Sequence, residues 1–239
     1  MGGAPAVGAL EVQRLAIVAH ELRRPLLPIG VAAALLSRSA DDPVKLARLQ
    51  RTIELQVGLL SRVIADLTET TQAATGNLAV ERRPMVTTAF VERAVDACRP
   101  MLDARRQSLR MRLPNGPFEL QADAERLTQV LINLLGNASK FSGDGTPIDL
   151  CMRVRDDAVL LSVSDRGIGI EPDEQVSMFK LFSQGARAKR FRNGGLGIGL
   201  WVVRQIVLAH AGQVTATSAG RGRGTRFAVT LPIATHGGT

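Results

Sequence analysis

Two series of apolar residues with a period of seven open the chain. Leu15, Leu22, Ile29 and Leu36 recur at that spacing, with Val18, Ala19, Leu26, Ala32 and Ala33 filling the positions three and four further on. Leu46, Ile53, Leu60 and Leu67 repeat it, with Leu49, Val57, Val63 and Ile64 between. The pattern predicts two amphipathic helices. Between them Asp42-Pro43 reads as an N-cap followed by proline at the first helical position, which makes the pair a helical hairpin. One hairpin cannot bury both apolar stripes. A dimer closing a four-helix bundle would bury them, and packing onto the rest of the chain is the alternative.

From about Leu78 the pattern is mixed. Strand-like runs fall at Ser108–Leu113, Phe118–Gln121, Ile148–Val154, Val159–Ser164, Gln213–Ser218 and Thr225–Leu231, with helices over Thr87–Arg105, Asp123–Phe141 and Leu200–Ala211. That order predicts an α+β fold, an α/β sandwich with helices on one face of a mixed, largely antiparallel sheet.

Composition narrows the class. The 239 residues are 45% hydrophobic and 22% charged, a globular balance with material for real cores. Two cysteines, Cys98 and Cys151, cannot build a disulfide framework, and the three histidines lie far apart, without metal-ligand spacing. A reducing, cytoplasmic setting is the expectation. The longest uncharged apolar stretch, Pro25 to Ser37, is 13 residues, too short for a membrane span. The net charge of +8 would suggest nucleic acid, but its distribution argues otherwise: the last quarter, from residue 175, holds nine basic residues and no acid. Arg187, Lys189, Arg190 and Arg192 concentrate this charge in a short loop, a field that also suits a polyphosphate.

Four groups of residues carry candidate chemistry. If Leu15 is heptad position a, His20 is position f, about 170° from the seam and turned to water. Glu21 is beside it and Arg24 one turn on. Pro25 and Pro28 each remove a helical amide, so a bend or loosening is expected after the histidine. A neutral imidazole is nucleophilic near pH 7, and an exposed one needs a donor to visit it. In the helix after Asp123, Asn133, Asn137 and Lys140 form one polar line at i, i+4 and i+7. Asparagine is a poor helix-interior residue. Its neutral amide oxygen suits a Mg²⁺ whose charge is met by phosphates, and Lys140 could reach those phosphates; an ordinary wet helix face is the plain alternative. Asp165 ends an apolar strand, where a carboxylate can accept a hydrogen bond from an exocyclic amine such as that of adenine. Gly167 and Gly169 then let a flat ring approach the backbone, although such glycines also serve plain turns. Finally, Gly194-Gly195-Leu196-Gly197-Ile198-Gly199-Leu200 follows the basic loop and opens a helix, whose free amides form an anion site.

Together these residues resemble the catalytic core of a bacterial sensor histidine kinase, over about Leu15 to Pro232. Ala19-His20-Glu21-Leu22-Arg23-Arg24-Pro25-Leu26 resembles the phosphoacceptor box, Asn133 to Ser142 the asparagine box, and Asp165-Arg166-Gly167-Ile168-Gly169 the first glycine box. Met178 to Gln184 resembles the phenylalanine box, Gly195 to Leu200 the second glycine box, and Gly222 to Phe227 the closing strand motif. The resemblance implies a dimerisation and phosphoacceptor hairpin over residues 1–75, an ATP-binding domain over 76–234 and a tail at 235–239. It implies that His20 takes the γ-phosphoryl of ATP, with Glu21 as its base and hydrogen-bond partner and Asn133 among the catalytic residues. Asn137 would hold Mg²⁺, Asn133 and Lys140 contact the phosphates, and Asp165 read adenine. Gly167, Gly169, Phe182, Arg190, Gly195, Gly197, Gly199, Leu200 and Thr225 complete the implied ATP site. The phosphoryl then passes to an aspartate on a response-regulator receiver domain.

The resemblance has departures. Arg24 stands where the family usually has Thr or Asn to orient a water for dephosphorylating the partner. A guanidinium has no acceptor for that water, so weak or absent phosphatase activity is expected. Ala211 replaces the first glycine of the usual His-Gly-Gly, and Arg166 carries no assigned role. Only 14 residues precede the first heptad, so the sensor module is expected on another chain or on a longer parent, and the receiver domain on a separate partner. Two other readings compete: a dimeric scaffold unable to use ATP, and an ATPase related to the topoisomerase and mismatch-repair enzymes, in which the histidine hairpin would have no place.

Overall fold

A computed structural model of the chain describes residues 5–39, 42–74, 79–114, 116, 118–155, 157–183 and 196–233. The chain divides into two units, Met1–Thr71 and Gln72–Thr239. The first is a hairpin of α1 (Pro5–Leu36), a 3-10 turn (Ser37–Ser39) and α2 (Pro43–Ala74), whose last residues pass into the second unit. Asp42 starts α2 as a cap: its Oδ1 accepts the Lys45 amide at 3.0 Å and its carbonyl accepts the Leu46 amide at 3.0 Å. Helix α1 does not end at Pro25 or Pro28 but runs through both, the intact i to i−4 bonds on either side carrying it across. Within this chain Leu15 is 69% exposed, Val31 60% and Ile64 52%, so much of the hairpin's apolar surface is still uncovered.

The second unit contains, in order, β1 (Arg83–Val86), α3 (Thr87–Ala104), β2 (Ser108–Arg112), β3 (Glu119–Ala122), α4 (Ala124–Phe141), β4 (Pro147–Arg155), β5 (Ala158–Ser164), the single turn α5 (Glu174–Ser177), α6 (Gly199–Ala209), β6 (Gln213–Thr217) and β7 (Arg226–Pro232). The main sheet has the order β2-β4-β5-β7-β6. β2 is parallel to β4, and every other pairing in it is antiparallel. Alternation sets its two faces. Ile148, Leu150 and Met152 of β4, Val159, Leu161 and Val163 of β5, and Phe227, Val229 and Leu231 of β7 are buried. They meet Phe90, Val91, Ala94 and Val95 of α3, Leu127, Leu131, Leu134 and Leu135 of α4, and Val203 and Ile206 of α6, all buried as well. Arg153, Thr215 and Arg226, on the other face, are exposed.

Two features depart from the expectation. The run at Phe118 does not join the main sheet; its strand β3 pairs antiparallel with β1, from Arg83 opposite Ala122 to Val86 opposite Glu119. β1 itself reads Arg-Pro-Met-Val, too polar and too short to carry an alternation signal. Cys98 is buried, and burial pushes its thiol up to about 11, which makes it an inert core side chain. Among the described residues no helix is long and apolar enough to cross a membrane.

Candidate functional site

Helix α4 is built to hold a polar line at fixed height. Asp123 caps its start, Oδ1 accepting the amides of Glu125 and Arg126 at 3.1 Å each. Its far end is tied by residues from beyond the helix. Arg105 donates to the carbonyls of Ser139 and, at 2.9 Å, of Ser142, and Gln107 Nε2 donates to those of Ser139 at 3.1 Å and Gly143 at 3.0 Å. These bonds satisfy carbonyls that every helix end leaves open. Between the two anchors Asn133, Asn137 and Lys140 are half-buried, next to a fully buried apolar stripe. Lys140 Nζ lies 4.9 Å from the centre of the Phe141 ring. The start of α6 comes up against this line: a Cβ on Gly199 would stand 3.3 Å from Asn133 Oδ1. The asparagine box and the second glycine box therefore share one wall.

Asp165, at the end of β5, forms the other part. Its Oδ1 accepts the amides of Gly167 at 2.7 Å and Thr225 at 3.2 Å, and its own amide donates to the Thr225 carbonyl at 2.9 Å. No described residue bonds its second carboxylate oxygen, which stays available to an amine of a ligand. Burial raises the Asp165 carboxyl above its ordinary range, opposed by the hydrogen bonds from Gly167 and Thr225. Two glycines make this geometry possible. A methyl group on Gly167 would collide with the Phe141 carbonyl, and one on Gly224 (φ +69°) with the carbonyl of Asp165. Thus the end of α4 packs against Gly167, and the turn before β7 packs at Gly224 against the Asp165 backbone.

The structure brings Asp165, Gly167, Gly169 and Thr225 together through the turn between β6 and β7. Ser218 holds that turn, a role that no motif or spacing around it signals. Its Oγ accepts the amides of Ile170 at 3.1 Å and Gly220 at 3.2 Å and donates to the Gly224 carbonyl at 2.6 Å. Gly222 N–H adds a bond to the Ile168 carbonyl at 2.8 Å. Phe182, half-buried at φ +60°, precedes a residue that Gly197 approaches closely. Buried Phe179 meets Phe227 edge to face at 6.4 Å. Leu200 is half-buried in the first turn of α6. Arg190 and Gly195, with Arg187, Lys189 and Arg192, lie outside the described residues.

The hairpin carries the remaining candidates. His20 is exposed on α1, as the heptad reading expects, and Glu21 is half-buried. Arg24 Nη1 donates to both carboxylate oxygens of Glu21, at 3.2 and 3.4 Å.

As for a metal, the described residues hold no cluster of three or more His, Cys, Asp or Glu that could bind one. Asn137 offers a single neutral oxygen. That donor set fits an ion brought by polyphosphate and does not fit a resident metal held by protein alone.

Residues 122–235 match the family model of the histidine kinase-, DNA gyrase B- and HSP90-like ATPases, an ATP-binding fold. Beyond this domain the likeness extends over the hairpin. The alginate biosynthesis sensor protein KinB of Pseudomonas aeruginosa is 33% identical over 216 residues, covering 90% of this chain and 36% of its own length. The solved histidine kinase AdeS of Acinetobacter baumannii superposes with a TM-score of 0.68 at 25% identity, covering 90% of this chain and 98% of that one. Full-length ShkA, solved in complex with AMPPNP, gives 0.68 at 25% identity, covering 93% of this chain and 46% of that one. The chain carries what these matches support, a sensor histidine kinase catalytic core. It spans 31–56% of the length of the curated relatives it matches first.

Proposed function

We propose that this chain autophosphorylates on His20 with ATP and passes the phosphoryl group to an aspartate of a response-regulator receiver domain. The observation that carries the reading is the Asp165 carboxylate: two backbone amides fix one oxygen and leave the other as a lone acceptor beside the close-packed Gly167. Such an acceptor selects a purine bearing an exocyclic amine. Asn133 and Lys140 then face the phosphates, and the glycines at the start of α6 offer them backbone amides. Asn137 would hold Mg²⁺, which when bound neutralises charge on the transferring phosphoryl.

On the hairpin, one ring nitrogen of His20 attacks the γ-phosphorus while Glu21 takes the proton from the other. Catalysis rests on positioning and charge stabilisation, because the loosely bonded transition state offers the protein little covalent work. The uncovered apolar residues of the hairpin support a homodimer that closes a four-helix bundle. The protein would act in the cytoplasm with its regulator as a separate partner. Arg24 supplies no acceptor to orient a water, so phosphatase activity toward that partner is weak or absent.

Incubation with Mg²⁺ and γ-phosphate-labelled ATP tests the reading. It should give an acid-labile, base-stable label that disappears in His20→Gln and in Asn137→Ala. A label that persists in His20→Gln overturns the assignment.

A further inference from the structure

Arg24 holds a position that the family fills with a small polar side chain, and in this structure it is engaged with the residue read as the reaction's base. Its Nη1 reaches both Glu21 oxygens, with the Glu21 side chain 15% exposed and that of Arg24 41% exposed. On helix α1 Arg24 follows Glu21 by three residues and His20 by four. Side chains three and four apart on a helix are neighbours, so the spacing lets the guanidinium that engages Glu21 share a helix face with His20. Glu21 is held in part by the hairpin surface and in part by this cation. A carboxylate keeps lone pairs for a third group, but its bond to the guanidinium biases where both oxygens point.

We propose that Arg24 is a positioning residue that restrains autophosphorylation by competing with His20 for Glu21. The inference rests on the reading of His20 as phosphoacceptor and Glu21 as its partner. In the reaction the attacking ring nitrogen bonds to the γ-phosphorus as the bond from that phosphorus to the bridging oxygen breaks. The electron pair of that bond leaves with ADP, and the proton on the other ring nitrogen passes to Glu21. For that last transfer Glu21 must turn from the guanidinium to the imidazole. The restraint is graded rather than absolute, because a partly exposed pair of this kind shifts an equilibrium only a few-fold.

The test is the initial rate of His20 labelling in the wild-type chain, Arg24→Gln, Arg24→Lys and Glu21→Gln, each checked for folding by circular dichroism. At low ionic strength Arg24→Gln should raise kcat about 2- to 5-fold with an unchanged KM for ATP. Arg24→Lys, which keeps the cation, should restore the restraint. Raising salt to about 0.5 M should bring the wild type up toward Arg24→Gln, since a partly exposed pair is screened over a few ångströms. In a Glu21→Gln background the Arg24→Gln change should have no effect. A rate in Arg24→Gln at or below wild type, an advantage independent of salt, or one that survives in Glu21→Gln overturns the proposal. Folded, ATP-binding protein with no label on His20 in any variant refutes the kinase reading itself, and this inference falls with it.

Discussion

Asp165 and Thr225 hold each other by two hydrogen bonds in opposite directions: the Asp165 amide donates to the Thr225 carbonyl at 2.9 Å, and the Thr225 amide donates to Asp165 Oδ1 at 3.2 Å. With the Gly167 amide also on Oδ1, these bonds orient the carboxylate and assign one oxygen to the backbone. Asp165→Asn should keep both backbone bonds on its amide oxygen, which puts an NH₂ group where the free acceptor stood. A donor would then face a donor. ATP affinity should fall about 10- to 100-fold, the cost of an unsatisfied pair. Stability should not fall, because burial raises this carboxyl: folding binds its proton more tightly than the unfolded chain does, so the ionised group opposes folding at neutral pH. Nucleotide titration by calorimetry, paired with thermal denaturation, checks both halves. Unchanged affinity would remove Asp165 from adenine recognition.

Ser218 ties the loop after β5 to the turn before β7 through three hydrogen bonds. Ser218→Ala leaves the Ile170 and Gly220 amides without that partner. The variant should lose about 1–3 kcal/mol of stability and bind ATP several-fold more weakly, because Gly224 and Thr225 lose the support that holds them against Asp165. Urea denaturation and ATP titration would separate the two effects. A loss of stability with full ATP affinity would confine Ser218 to the fold.

Ala211 sits at φ +58°, in the left-handed region, at the end of α6. The Gly212 amide donates to the Val207 carbonyl at 2.8 Å and the Ala211 amide to that of Leu208 at 2.8 Å, the paired bonds of a Schellman cap. Glycine is the residue suited to that position, and alanine there costs about 1 kcal/mol. Ala211→Gly should raise Tm by about 2–4 °C, measured by differential scanning calorimetry. A lowered Tm would contradict the cap geometry.

His210 ties two helix ends together as a neutral ring. It is buried; Nδ1 lies 2.8 Å from the Ile206 carbonyl, and Nε2 accepts the Asp123 amide at 3.0 Å. That pattern requires the proton on Nδ1. Burial lowers its pKa first of all, and nearby Arg82 adds to that, while the Ile206 carbonyl and Asp123 oppose it. The unfolded chain therefore binds the proton more readily, so stability is lost as pH falls through the ordinary histidine range near 6.5. The urea midpoint should drop between pH 7.5 and 5.5, and the drop should shrink in His210→Gln. An equal drop in both proteins would assign the acid sensitivity elsewhere.

Arg24 bears on hydrolysis of the partner's phosphoryl group as well. With ADP and a phosphorylated receiver domain, the wild-type chain should strip the regulator slowly, and Arg24→Thr should speed this by about tenfold or more, since a positioned acid–base or water-orienting group is worth at least that much. Release of inorganic phosphate measures it. A fast wild-type reaction would show that the guanidinium does not block the water.

The heptads alone determined the hairpin, because burying a stripe at a period of seven leaves little choice but a helix packed along its length, and Asp42-Pro43 marked the start of its second helix unaided. The helices and main-sheet strands of the second unit were likewise legible from periodicity; Asn133, Asn137 and Lys140 stood out as candidates by forming one polar line on an apolar helix, and Asp165 by ending an apolar strand. Tertiary structure decided what depends on partners distant in the chain. β1 exists because β3 pairs with it. Ser218 and His210 matter because their side chains reach backbone groups on other loops and helices, and a lone serine or histidine in the sequence says nothing of those partners. Gly224 is indispensable because Asp165, 59 residues earlier, brings its carbonyl against the turn. The Arg24–Glu21 pair belongs to both levels: the spacing of three made it possible on a helix, and only the folded side chains showed that both carboxylate oxygens accept from the one guanidinium.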